Sequence, residues 1–478
     1  MKKVILWLSA LVVFVSARSQ EVWTLERCIE HALSNNIQVK QQLLQVNGTK
    51  ADVLQSKLSM LPSVNGFASH GYNYGKTVDR YTNAFAAERV RSNNFYLSST
   101  VTLFDGFQKV NQVRLNQSNL DATRYDTDKF MDDISLGIAT AYLQILYFQE
   151  VSKTAARQLE ATKLQSDRLT KLVNAGSLAQ GDLYTIEAQK AAEESALVEA
   201  TNNLDLSYLT LTQMLDLPSS AEFEIEVPDL ELGEKPQLLI NPEQVFDYAL
   251  QAQPSIKSAE SRVRSSEYNL LLARGSQSPT LSLQGSIGTG YSGAAQLIDT
   301  LIPGPLQPIG FTLTPDGVPI DLVYNYSYDP RYKVKPFNDQ INDNINKSIG
   351  FNLSIPIFNG YVTRTSISKA RMNLENSRYN LEISRLDLRK TIEQAYADAK
   401  AALNKYESAK TGVEAAKESF RYSDQKFTVG MLNSVDYNNS KKDFERAESE
   451  LIRAKFDFIF KTTVLDFYMG KPINLKRK

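Results

Sequence analysis

One cysteine, Cys28, and two histidines, His31 and His70, are all that the 478 residues contain of those types. A single thiol cannot close an intrachain disulfide or supply a cysteine-based zinc site. Two histidines are too few for most catalytic or metal constellations. The sequence also lacks a glycine-rich phosphate loop at a strand–helix junction and a nucleophile elbow. No catalytic residue, metal ligand set or cofactor is therefore expected, and a secreted enzyme is a weak reading. Charge of either sign is not in excess. Lys and Arg total 53 against 54 Asp and Glu, which leaves no basic footprint for nucleic acid. Mean hydropathy is −0.31, and past the N-terminus no apolar run is long enough for a membrane-spanning helix.

Proline and glycine are scarce in particular places. No proline occurs between Pro62 and Pro218 or between Pro356 and Pro472. Gly137 stands alone between Phe107 and Ala175, and Gly412 alone between Tyr361 and Val429. Both residue types break helices, so their joint absence permits very long ones. A helix from about residue 108 to residue 174 would extend roughly 100 Å at 1.5 Å per residue.

What occupies these stretches is an apolar and small-residue seam. Ile134, Ile138, Ala141, Ile145, Phe148, Ser152, Ala155, Leu159, Thr162, Ser166, Leu169 and Val173 follow steps of four and three. Leu388, Ile392, Ala395, Ala399, Ala402, Tyr406, Ala409, Val413, Ala416, Phe420, Ser423 and Phe427 do the same. That 3.5-residue period is the seam of a coiled coil, and the alanines and serines let helices approach closely. A filament-like two-stranded coiled coil would show the same period.

An internal repeat argues against the filament. Phe104-Asp105-Gly106 recurs as Phe358-Asn359-Gly360, an offset of 254 that also pairs Gly176 with Gly430 and Asp182 with Asp436. Upstream the offset is 217, pairing Ala32-Leu33 with Ala249-Leu250 and Pro62 with Pro279. The difference of 37 places an insertion between about Ser292 and Ser348. The expected organisation is a signal peptide over 1–17, a first repeat over 18–218, a linker over 219–239, a second repeat over 240–472 with a long exterior loop at 292–347, and a tail over 473–478. The signal follows from Lys2 and Lys3, the apolar stretch after them, and the small residues Ser16 and Ala17.

Each repeat also carries two segments of period-two alternation. Phe95, Leu97, Val101 and Leu103 share one side, against Tyr96, Ser98, Thr100 and Thr102. Ile349, Phe351, Leu353, Ile355 and Ile357 oppose Asn352 and Ser354, and further strands are expected near 63–74 and 280–291. Their length suits a tilted strand in a bilayer. Four strands cannot close a barrel, and open edges cannot sit in lipid, so several chains would have to share one. An ordinary soluble sheet is the plain alternative. Tyr72, Tyr74, Tyr81 and Tyr96 could form an interfacial girdle, or be scattered loop tyrosines. His31 reads as an ordinary helix residue, and His70 as facing a lumen or an interface.

The order of short helix, strand, loop, strand, very long helix, glycine turn and returning helix, written twice, resembles the outer-membrane efflux protein (TolC) family. The residues that carry the resemblance are Trp23-Thr24-Leu25 through Ala32-Leu33-Ser34-Asn35-Asn36, the two strand-end motifs, and the turns Asn174-Ala175-Gly176-Ser177-Leu178 and Val429-Gly430-Met431-Leu432. The resemblance implies a mainly helical chain with a membrane β-barrel part. Its long helical hairpins would form a trimeric α-barrel tunnel continuous with a shared 12-stranded barrel, four strands per chain. It implies an exit duct in the outer membrane of a Gram-negative bacterium, serving a tripartite efflux or type I secretion system. The partners it implies are a homotrimer, a periplasmic adaptor (membrane fusion) protein, an inner-membrane transporter and outer-membrane lipid, with no nucleic acid. The alternative is a periplasmic coiled-coil adaptor or scaffold protein without a barrel.

By the same resemblance the adaptor meets the hairpin tips, at Gly176, Ser177, Leu178, Gly430, Met431 and Leu432. Simple left-handed turn geometry would explain the two glycines equally. Asp436 matches the family's constriction aspartate, with Asn439 where its best-known members place a second acid. A solvated carboxylate at a helix start is the plain alternative. Asp182 is the first-repeat counterpart, which family gates tie to a Tyr and an Arg. Those positions here are Phe427 and Leu432, so a weaker or apolar closure is expected.

Overall fold

The computed structural model describes residues 22–86, 89–218, 223–228, 241–313, 315–317, 319–471 and 473. The expected signal peptide, most of the 219–239 linker and the tail beyond residue 473 lie outside the described residues. The chain runs through α1 (Leu25–Asn35), α2 (Ile37–Leu58), β1 (Ser63–Asn73), β2 (Thr77–Val78), β3 (Phe85–Ala86) and β4 (Val90–Phe104). It continues through α3 (Gln108–Asn174), α4 (Gln180–Met214), α5 (Pro242–Ala252), α6 (Pro254–Gly275), β5 (Thr280–Ser292), β6 (Gln296–Leu313) and β7 (Pro319–Val334). It ends with α7 (Phe337–Asp343), β8 (Asn346–Ser354), α8 (Val362–Thr428) and α9 (Ser434–Tyr468). Among the described residues no helix is long and apolar enough to cross a membrane.

The 254-residue offset holds to the residue in the long helices. α3 and α8 each have 67 residues, and α4 and α9 each have 35. The expected span from 108 to 174 is the observed one. Every seam position of α3 and α8 is buried or half-buried, with Ile138, Ile145, Thr162, Ile392 and Ala399 fully so. The heptad seam therefore packs as its period requires. The chain forms two compact units, and each takes segments from both repeats: 1–51, 117–266 and 373–478 in one, 52–116 and 267–372 in the other.

In the first unit the core gathers Leu25, Cys28 and Ala32 of α1, Ile138, Tyr142 and Ile145 of α3, Leu211 of α4 and Ile459 of α9. Thr24 caps α1 by accepting from the Arg27 N–H at 3.2 Å. Two short extended segments close over this core. Trp23 and Ile225 form a parallel bridge, and the Tyr142 hydroxyl reaches the Glu226 carbonyl at 2.5 Å and that of Trp23 at 3.1 Å. Of the alternating linker residues, Phe223 and Ile225 are buried and Val227 is exposed. Burial also pushes the Cys28 thiol up to about 12. His31 lies on α1 with its ring edge-on to Trp23 at 5.1 Å.

The second unit holds a four-stranded antiparallel sheet in the order β1-β4-β5-β8. Because β1 and β8 each have one neighbour, both edges of the sheet are open. Its register sorts the side chains by face. Opposed pairs Val64–Ser99, Gly66–Leu97 and Ala68–Phe95 share a face with Leu283, Ile287, Ile349, Phe351 and Leu353. Opposed pairs Asn65–Ser98, Ser286–Ser348 and Ser282–Asn352 lie on the other, where the Ser286 and Ser348 hydroxyls hydrogen-bond at 2.7 Å. Part of the apolar face lies against α7, and the rest is exposed: Ile349 is 79% exposed and Phe351 71%.

Two expectations need correction. β8 ends at Ser354, so Ile355 and Ile357 lie beyond it, where Pro356 has no N–H to give a ladder. Residues 292–347 are not one long loop. They hold the antiparallel hairpin of β6 and β7 and the short helix α7. Pro303, Pro305 and Pro308 read as loop, yet the hairpin accommodates them through register shifts at Pro303/Leu306 and Pro308/Gly310.

Candidate functional site

The two turns that join each long helix to its returning helix are built alike. Gly176 and Gly430 take φ of 72° and 77°, left-handed values that glycine adopts without a Cβ penalty. The Gly176 N–H donates to the Val173 carbonyl and the Ser177 N–H to that of Leu172, both at 2.9 Å. At the second turn the Gly430 N–H donates to Phe427 at 3.1 Å and the Met431 N–H to Lys426 at 2.8 Å. Each pair of bonds is a Schellman cap, satisfying carbonyls that the helix end leaves open. Gly176, Ser177, Gly430 and Met431 are exposed at these turns, while Leu178 and Leu432 are half-buried.

The returning helices start differently. Asn433 caps α9: its side-chain oxygen accepts from the Asp436 N–H, and its amide donates to the Asp436 carboxylate, both at 2.8 Å. Asp436 thus stands in the first turn, where the helix dipole favours an anion. Asn439, one turn on, is exposed with it. In α4 the cap residue is Ala179, which offers no side-chain bond. Asp182 in that first turn instead accepts a hydrogen bond from Ser434 Oγ of α9. Asp182 and the start of α9 are therefore brought together, through a serine that sequence reasoning missed.

Phe427 is half-buried within its own hairpin. Its ring stacks on Tyr437 at 4.5 Å, and Phe420 lies against both Tyr437 and Phe444 at 5.6 and 5.8 Å. The Tyr437 hydroxyl donates to Asp424 at 3.4 Å. Burial first, and then the Asp424 charge, push this phenol up to about 12.

Deeper in the same helices is a buried ionic cluster that the sequence reading also missed. Lys441 Nζ lies 3.1 Å from Glu193 and 3.2 Å from Glu445, with all three side chains at most 15% exposed. The ammonium also donates to Thr162 Oγ1, and Gln189 donates to Glu193 at 2.7 Å. Burial drives the Glu445 carboxyl upward, against the pull of Lys441. The cluster ties α3, α4 and α9 at one level. Lys441 follows Tyr437 by four residues and precedes Phe444 by three, which is seam spacing, so a charge in a seam position was the available signal.

Among the described residues no group of His, Cys, Asp and Glu could hold a metal ion. Long paired helices joined by glycine turns, and an open-edged sheet with an exposed apolar face, are the geometry of a membrane conduit. Comparison with known proteins gives the family. A profile described as "Outer membrane efflux protein" matches residues 28–216 and 245–470, and the chain belongs to that family.

The chain is 20% identical to the outer membrane efflux protein BepC of Brucella suis over 437 residues, covering 91% of this chain and 83% of that one. It is 24% identical to TolC of Escherichia coli over 393 residues, covering 79% and 70%. Among solved structures, CusC superposes with a TM-score of 0.74 at 15% identity over 94% of this chain and 92% of that one. VceC of Vibrio cholerae gives 0.72 at 14% identity over 94% and 97%. The protein is thus an outer-membrane efflux or secretion channel of TolC-like fold, and the adaptor alternative finds no support. Its family is one of channels, not enzymes.

Proposed function

We propose that three copies of this chain close a 12-stranded barrel and that the duct passes solutes outward from a periplasmic adaptor and an inner-membrane transporter. The supporting observation is the four-stranded sheet with two open edges and an apolar face that is exposed beyond α7. Each open edge exposes unpaired backbone groups that lipid cannot satisfy, and pairing β8 of one copy with β1 of the next removes them all. In this reading residues 18–218 and 240–472 are the two structural repeats, joined at 219–239, and the apolar face meets lipid while the serine-lined face meets water.

The adaptor would dock on the turns, at Gly176, Ser177, Leu178, Gly430, Met431 and Leu432, where Ser177 and Met431 are exposed and Leu178 and Leu432 half-buried. Asp436, Asn439, Asp182 and Phe427 would lie at the narrowing of the duct, with three copies of Asp436 favouring cations. Electron microscopy of the detergent-extracted protein is the test. A threefold particle with a tunnel on the order of 100 Å, the length of a 67-residue helix, is expected; a soluble monomer would overturn the reading. Loss of cation preference in Asp436→Asn channels is expected in planar bilayers, and unchanged selectivity removes Asp436 from the constriction.

A further inference from the structure

The far end of the sheet, opposite the ends that lead into the long helices, carries features that the conduit function does not use. Arg91 stands in β4 opposite Tyr72, on the apolar face, and its guanidinium lies over the Tyr291 ring at 4.7 Å. Arg89, just before β4, lies over Tyr72 at 5.1 Å. Among the described residues neither guanidinium has a carboxylate partner. Lys347, opposite Ile287, adds a third cation to the same face. The carboxylates nearby are Asp343 of α7, paired with Lys335, Asp339 of α7, and the buried Asp79, which accepts from the Ser292 hydroxyl.

Beside these cations the face is grooved. α7 packs over it: Thr289 donates to the Ile341 carbonyl at 2.5 Å, and Phe337 lies edge-on to Phe95 and tilted against Tyr291. Between Ile341 and Ile345 on one side and Phe95, Leu97 and Ile287 on the other runs an apolar groove of about 540 Å³. The small residues Gly66 and Ala68 form its floor. Arg91 precedes Phe95 by four residues, which sets its backbone about 13 Å from the groove along the strand, while Lys347 stands at the groove's own level, opposite Ile287.

We propose that this end of the sheet binds an anionic, acylated lipid of the outer leaflet, its phosphate held by Arg89 and Arg91 and one acyl chain laid in the groove beneath α7. Unpaired guanidinium groups complement a phosphate, which they can engage with two parallel hydrogen bonds. The tyrosines beneath them are the side chains that settle at a membrane interface. A headgroup at the interface with its chain running down the strand needs the apolar surface on the membrane side of the cations, where the groove lies. The inference rests on the barrel reading above, because that reading turns this face toward lipid.

The test uses the full-length protein in detergent, stripped of lipid and then titrated with bis-phosphorylated lipid A, with bound lipid and oligomeric mass read together by native mass spectrometry. Wild-type trimers are expected to retain lipid A at least about tenfold better than its dephosphorylated form. Arg89→Ala/Arg91→Ala is expected to lose about tenfold or more, while Arg89→Lys/Arg91→Lys keeps most of the retention. Ala68→Trp, which fills the groove, is expected to lose it while the trimer persists. Equal retention of the phosphate-free lipid, full displacement by inorganic phosphate alone, or an unaltered double alanine variant would each overturn the site and leave the trimer standing. A wild-type monomer in the same spectra would instead overturn the barrel reading, and this site with it.

Discussion

Ser434, the first residue of α9, donates its hydroxyl to Asp182 in the first turn of α4, 252 residues earlier in the chain. The bond ties the starts of the two returning helices to each other inside one chain. Asp436, the repeat counterpart of Asp182, makes no such tie and is held by its own cap, Asn433. The two aspartates thus occupy equivalent helical positions with unequal partners.

Removing that tie is expected to loosen the tips without dismantling the assembly. A hydrogen bond to a charged group contributes about 1.5–3 kcal/mol, and the half-buried Asp182 places this one at the lower end. Ser434→Ala and Asp182→Asn should each raise channel conductance in planar bilayers while the oligomer stays intact. Conductance equal to wild type in both variants would show that the tie does not restrain the tips.

Breaking the Lys441 cluster should be costly, and replacing all of it should not. Lys441→Met leaves Glu193 and Glu445 buried without their cation, an expected loss of about 3–5 kcal/mol. Glu193→Leu/Lys441→Met/Glu445→Leu removes every charge and is expected to recover most of that loss. Thermal denaturation of the three proteins gives the comparison. A triple variant no better than the single one would mean that the cluster's hydrogen bonds to Thr162 and Gln189 carry the stability instead.

Two classes of glycine should respond differently to alanine. At Gly176 and Gly430 a Cβ would meet nothing within 4 Å, so Gly→Ala costs only the left-handed backbone, about 1–2 kcal/mol. At Gly106, with φ of 68°, a Cβ would fall 2.5 Å from the Gly275 carbonyl oxygen. Gly106→Ala is therefore expected to block outer-membrane assembly, scored by fractionation, where Gly176→Ala/Gly430→Ala does not.

The Asp132 carboxyl is pushed up to about 6, first by burial and then by Asp128 and Asp133. Its ordinary value is near 3.8, so between those limits the folded protein holds a proton that the unfolded chain releases. Its contribution to stability is fully present below pH 4 and is lost as pH rises through 6. At neutral pH Asp132→Asn is expected to stabilise the fold by about 1 kcal/mol after solvent screening of this half-buried group, read as a higher thermal midpoint. At pH 4 the variant and wild type should coincide. A pH-independent difference would assign the effect to packing.

Cys28 offers a probe of the first unit's core. It is buried, and its thiol is pushed up to about 12, so almost no thiolate forms at pH 8. Maleimide labelling of the native protein is expected to be slow and to accelerate with unfolding. Rapid labelling under native conditions would show that α1 lifts from the core.

Much of this architecture is legible in the sequence because the forces that build it are periodic. The absence of proline, the scarcity of glycine and the 3.5-residue seam fix the long helices, and period-two alternation marks the strands of the four-stranded sheet. The β6–β7 hairpin escaped notice because Pro303, Pro305 and Pro308 carry loop chemistry that only register shifts reconcile with pairing. Lys441 was hidden for a related reason: a search for apolar periodicity passes over a charge, even one at seam spacing. The Ser434–Asp182 bond joins residues with no local pattern between them, and only the folded chain places them side by side.

The equal helix lengths of the two repeats, 67 with 67 and 35 with 35, constrain how such a chain can change. A seven-residue deletion in one long helix preserves its seam yet draws that helix up by about 10 Å, leaving one turn short of the other. Only matched deletions in α3, α4, α8 and α9 keep both turns level. The reach of the duct therefore changes in coordinated steps across four separate stretches of the gene, which makes it far harder to alter than any single residue along it.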